Sequence, residues 1–103
     1  MKINFGSHVA DLKGVALKDE KGEDVKLHVP CVNALTANYQ KENDIGGDEK
    51  YRRYKLAVKI DKPEEIEVTS EEITLIKKLV GFAFTPILVV GIFDKLEGSG
   101  PDA

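Results

Sequence analysis

The sequence predicts a small α+β domain. An N-terminal β-hairpin and one further short strand pack on three or four helices, and the last two helices form the centre of the core. Three observations carry this reading. Apolar residues alternate toward Val29 with the two-residue period of a half-buried strand. A capping box at Thr69 and Glu72, and a Thr85-Pro86 pair, each announce a helix start. Finally, no charged residue occurs between Leu79 and Phe93, so that stretch must supply much of the core.

Size fits this class. A chain of 103 residues has room for one domain and one modest core. The domain is expected to span residues 1–98, with residues 99–103 as a flexible tail. Residues 1–29 read as β-structure. Val15, Ala16 and Leu17 on one side and Val25 to Val29 on the other flank a polar stretch centred on Gly22, which suits a hairpin turn. In the second arm Val25, Leu27 and Val29 face one way, and Lys26 and His28 face solvent. Such a hairpin is marginal alone and must pack on helices.

Pro30 opens a short helix in which Val32, Leu35 and Tyr39 recur at helical spacing. The polar run from Lys41 to Gly47, ending in two glycines, breaks it and reads as a mobile loop. A second helix is expected over residues 49–60, capped by Asp48 and ended by Lys62-Pro63. Tyr51, Tyr54, Ala57 and Val58 fall on one side of it, and Leu56 and Ile60 pair at i and i+4. Leu56, Val58 and Ile60 also alternate, so a strand over residues 54–60 is the alternative.

Ile66, Glu67 and Val68 form a short strand that runs into the Thr69 box, where Val68 and Ile73 are placed as a hydrophobic staple. Ile73, Ile76, Val80 and Ala83 share one face of the following helix, and Leu75, Leu79 and Phe82 share an adjacent one. After Thr85-Pro86, residues Leu88, Val89, Ile92, Phe93 and Leu96 make another apolar face, and Gly98 is placed to stop the helix. No internal repeat or low-complexity segment stands out.

Composition and motifs exclude several functions. The formal charge of −3 favours neither nucleic acid nor an anionic membrane. The uncharged run is shorter than the about 20 apolar residues of a membrane span and is divided by Thr85-Pro86. No membrane association is therefore expected. The first residues lack the apolar run of a signal peptide, and the single cysteine, Cys31, cannot form an internal disulfide. A cytoplasmic location follows as the expectation.

His28 and Cys31 are three apart, but His8 is the only other histidine and zinc needs three or four ligands. Cys31 reads as a small buried apolar residue. Gly46-Gly47 has neither the spacing nor the lysine of a phosphate loop. The sequence thus points to no catalytic residue, no cofactor and no metal.

Two clusters remain as candidate contact surfaces. Lys50, Arg52, Arg53, Lys55 and Lys59 are interleaved with Tyr51 and Tyr54, which is the chemistry of phosphate contact and base stacking. The acidic run that follows, from Glu64 to Glu72, can neutralise that field internally. The second cluster is apolar: Phe82, Phe84, Ile87 and Val90, on a chain small enough to need a second copy to cover its apolar surface.

The succession of residues 31–35, 49–57 and 68–98 resembles small proteins encoded by tailed bacteriophages and prophages. The likeness runs from residue 12 onward and carries no catalytic motif. It implies a setting, the cytoplasm of a phage-infected host, rather than a mechanism. Together these readings predict a non-enzymatic accessory protein that binds another protein and self-associates. A nucleic-acid-binding protein using the basic-aromatic helix of residues 50–62 is the alternative.

Overall fold

A computed structural model describes residues 1–11, 13–39, 42 and 45–97. The elements in chain order are β1 (Lys2–Asn4), α1 (His28–Thr36), α2 (Gly47–Ile60), β2 (Glu65–Glu67), α3 (Ser70–Ala83) and α4 (Pro86–Leu96). Among the described residues, four helices and one two-stranded antiparallel sheet make this an α+β fold, as the sequence predicts. Much of the loop expected over residues 41–47, together with Gly98 and the tail, lies outside the described residues.

The fold is organised around α1. This helix carries no lysine, arginine or carboxylate, and it buries Pro30, Cys31, Ala34 and Leu35. α2 and α3 both pack on α1 rather than tightly on each other, and α4 packs on α3 and touches β1. Cys31 and Ala34 are small, which lets both neighbouring helices approach the α1 axis. α1 starts two residues before Pro30, so the proline sits within the first turn, where helix N–H groups lack intrahelical partners anyway. Val29 is consequently helical and exposed rather than the last inward residue of a strand, and His28 is no longer a strand residue.

The N-terminal region is more than a hairpin. Three short segments around Val9, Leu17 and Val25 pair with one another through the bridges His8–Lys26, Ala10–Ala16 and Lys18–Asp24. Their backbone bonds close a cycle: Val9 N–H donates to Val25, Val25 to Leu17, and Leu17 back to Val9, at 2.8–2.9 Å. At the two connecting turns Asp11 and Asp19 each accept two backbone N–H bonds on Oδ1, and Gly14 and Gly22 take φ values of 80° and 81°. An eight-residue period, Gly6-Gly14-Gly22 and Val9-Leu17-Val25, underlies this arrangement. It corrects the expectation of no internal repeat. The segments are too short and too varied in composition for the repeat to show until the pairing is known.

β1 leads into this ring and pairs with β2 in the register Lys2–Glu67, Ile3–Ile66, Asn4–Glu65. β2 is the strand expected near Ile66, and it leads directly to the α3 start. There Thr69 Oγ1 accepts from the Glu72 N–H at 3.1 Å, and Glu72 Oε1 accepts from the Thr69 N–H at 2.8 Å. Val68 and Ile73, the two ends of the expected staple, are both buried. Ile73, Leu75, Ile76, Leu79 and Val80 form the buried side of α3. α4 begins with Pro86 as its first residue after Thr85, and Ile92 and Leu96 enter the core while Leu88, Val89 and Phe93 pack partly against it.

α2 is helical throughout, so residues 54–60 are not a strand. It starts at Gly47 after a Gly46 cap, with Asp48 inside the first turn rather than capping it. Its buried face is Arg53, Leu56, Ala57 and Ile60, not the tyrosine face: Tyr51 and Tyr54 are 63% and 59% exposed, and Val58 is exposed too. Leu56 and Ile60, the i, i+4 pair, fix the inward direction. Arg53 can join them because two carboxylates meet its guanidinium.

The packing of α4 on the ring depends on Gly91. A Cβ there would lie 2.6 Å from the Ala10 carbonyl oxygen and 3.0 Å from Val9 Cγ1, whereas at Gly81 in α3 it would meet nothing within 4 Å. Gly91→Ala is therefore expected to destabilise the fold by about 1–3 kcal/mol. Gly81→Ala is expected to stabilise it by up to about 1 kcal/mol through helix propensity. Urea unfolding of the two variants checks the opposite signs.

Candidate functional site

Among the basic residues singled out by sequence, Arg53 is the one the fold takes inside. It is 3% exposed. Its Nη1 and Nη2 donate to the two oxygens of Glu42 at 2.7 and 2.6 Å, and its Nε donates to Glu49 Oε2 at 2.9 Å. This bidentate fork joins the α1–α2 connection to α2. Hydrogen bonding from Arg53 holds the Glu42 carboxyl below the usual range, and the same bonds keep the Arg53 guanidinium protonated. Glu49 is also held low: burial pushes it up, but hydrogen bonds from Arg53 and Arg52 outweigh that. Above the turn, the Tyr39 hydroxyl donates to the Ala34 carbonyl, and the Phe82 ring meets the Tyr39 ring edge-on at 5.6 Å. The donors of Arg53 are thus taken up by carboxylates of this chain rather than presented from the outer face of α2.

The other members of the basic cluster stay at the surface in two states. Arg52 Nε lies 3.0 Å from Glu49, and Lys59 Nζ lies 2.8 Å from Glu72 on α3, so each faces a carboxylate of this chain. Lys50 and Lys55 have no such ion pair among the described residues, and the Lys55 ammonium stands 5.7 Å from the Tyr51 ring centroid. Beside them an open groove of about 540 Å³ runs between α2 and α3, with Leu56 and Leu75 in its lining and Lys55 and Glu71 on opposite rims. The two tyrosines offered by the sequence for base stacking are exposed together with Val58, so Tyr51, Tyr54 and Val58 form one outward stripe rather than part of the core. Its spacing of i, i+3 and i+7 was the available signal.

The apolar cluster splits as well. Ile87 and Val90, one turn apart on α4, are 50% and 51% exposed. Phe82 is partly exposed at the end of α3 and packs on Tyr39, while Phe84 is half-buried against the core. These residues adjoin at the α3–α4 junction, and no charge interrupts them.

Polar chemistry is sparse elsewhere. Burial pushes the Cys31 thiol up to about 12, so at neutral pH it is neither a nucleophile nor a ready metal ligand. His28 lies against Asp61 at 3.1 Å rather than beside Cys31 in a ligand set, and His8 faces Asp24. Among the described residues no group of three or more histidine, cysteine or carboxylate side chains could hold a metal, and no helix is long and apolar enough to cross a membrane. Comparison with protein-family models, with curated proteins and with solved structures found no match.

The carboxylate set gives a definite pH dependence. Glu42 and Glu49 have folded-state pKa values below their unfolded ones, so they stabilise the fold fully above the ordinary glutamate pKa of about 4.3 and lose that contribution as pH falls through the folded values. Acid titration of the unfolding free energy should show a drop beginning near pH 5, by this linkage. Glu42→Gln should cost about 2 kcal/mol at neutral pH, the scale of a hydrogen bond to a charged group. It should also flatten the acid slope; an unchanged slope would mean the fork contributes nothing to folding.

Proposed function

We propose that this chain is a non-enzymatic, protein-binding accessory protein of the phage kind its sequence resembles, working in the cytoplasm and associating with a second copy of itself. The contact is the outer face of α4. One observation carries this reading: Ile87 and Val90 stay half exposed on a helix whose other side is already occupied by the chain itself. Gly91 lies on Ala10, and Ile92 and Leu96 are in the core, so no further part of the described fold is placed to cover the outer side.

A second copy is the occupant this surface suits. The first turns of this face, through Val90, carry no charge, so two copies related by a twofold axis can meet there without placing like charges together, with the exposed Asp94, one turn further along the same face, at the edge of the contact. Small domains gain most from such coverage, because they bury a smaller fraction of their surface alone. The half-buried Phe84 and the exposed edge of Phe82 lie next to Ile87 along the chain and extend the contact toward α3.

Analytical ultracentrifugation at micromolar to sub-millimolar concentration tests this. The native chain is expected to sediment as a concentration-dependent dimer. The double variant Ile87→Glu, Val90→Glu is expected to sediment as a monomer with unchanged helical circular dichroism, since both positions point away from the core. A native chain that remains monomeric throughout that range would defeat the reading.

A further inference from the structure

We propose that the outward face of α2 docks an amphipathic helix of another protein, one whose apolar stripe is flanked by carboxylates. Tyr51, Tyr54 and Val58 recur at i, i+3 and i+7 and are all exposed, opposite the face that enters the core. They span about 10 Å along the helix, two turns, which is the length over which helix-recognition anchors repeat. The groove between α2 and α3 adjoins this stripe at Tyr51 and offers the buried side chains Leu56 and Leu75 to an apolar anchor.

Charge selects the partner. The stripe is bordered by Lys50 on one side and Lys55 on the other, two cations that have no carboxylate partner among the described residues, while Arg52 and Lys59 each face one carboxylate and Arg53 faces two. A partner helix with carboxylates beside its apolar stripe meets the ammonium groups of Lys50 and Lys55, neither of which faces a carboxylate of the described residues. A second copy is disfavoured here, because pairing α2 with its own twofold mate sets lysine against lysine. A nucleic acid is disfavoured too. Arg53 is turned inward, and Arg52 and Lys59 already face carboxylates of this chain, so the helix keeps too few unpaired cations to track a phosphate backbone. This surface is distinct from the α4 face, so either can fail without the other.

The test uses three probes with the full chain: a synthetic amphipathic peptide with leucines at i, i+3, i+4 and i+7 flanked by glutamates, its lysine-flanked counterpart, and a single-stranded DNA oligonucleotide. Fluorescence anisotropy should show the glutamate peptide binding at least about tenfold more tightly than the lysine peptide, with the preference weakening as salt is added. Tyr54→Ala should weaken it by about tenfold, the loss of one aromatic anchor. Lys55→Glu should remove or reverse the preference, and the Ile87→Glu, Val90→Glu variant should bind as the native chain does. Tyr54 and Lys55 are exposed, so circular dichroism and the melting temperature serve as the folding control for both.

Several results would overturn the proposal. These are no binding of either peptide, equal binding of both, or binding unchanged in Tyr54→Ala and Lys55→Glu. DNA bound more tightly than the glutamate peptide would assign the face to nucleic acid instead. Dimerisation lost in Lys55→Glu would assign it to a second copy.

Discussion

Burial of α1 is the constraint on which the other elements depend. A nine-residue helix without lysine, arginine or carboxylate has too little surface polarity to face water on both sides, and it is too short to hold its shape alone. It is covered by α2 on one flank and α3 on another, with Cys31 and Ala34 setting how near they come. Because α2 and α3 spend their best apolar faces on α1, they do not close on each other, and a groove stays between them. The Lys59–Glu72 ion pair spans that groove without filling it. The surface features of the protein are in this sense what remains after its smallest helix has been enclosed.

Electrostatics then decides what the surface offers. A helix with five basic residues in ten looks, as a string, like a cationic ridge. In three dimensions its central guanidinium is desolvated and answered by Glu42 and Glu49, and two more cations are matched across short distances. Burying such a group is tolerable only when its hydrogen-bonding capacity is met, and Glu42 is supplied by the connection preceding α2 rather than by the helix itself. The result is a helix with much of its charge internally neutralised and an apolar-aromatic outer stripe. That alters the kind of partner it suits.

Local signals were the legible part of the sequence. The Thr69 and Glu72 box works across a single turn, and both of its hydrogen bonds form as the residue types require. The Thr85-Pro86 break and the inward Ile92 and Leu96 follow from the same short-range rules. Less legible was the direction of α2. Tyrosine and arginine can each be placed in or out, and the choice rests on Glu42, eleven residues from Arg53 and in a stretch with no periodicity to place it. The ring was hidden for a related reason. Its three segments satisfy one another's backbone groups rather than extending a sheet, so alternation in one arm spoke of a hairpin and said nothing of Val9. On α4, Ile87 and Val90 were recognisable as spare apolar surface because Leu88, Ile92 and Leu96 already fill the inward arc.

The close contact between Gly91 and Ala10 also bears on how the chain acquires its structure. It joins positions separated by about four-fifths of the sequence, and β1 likewise finds its partner only in residues 65–67. Loop-closure entropy makes such distant pairings late and slow compared with helix formation. During synthesis the N-terminal ring can form its internal hydrogen bonds early, but it lacks the close packing at Gly91 until α4 has left the ribosome. Final consolidation therefore waits for the most apolar helix to emerge, which shortens the time that helix spends uncovered before the waiting ring receives it.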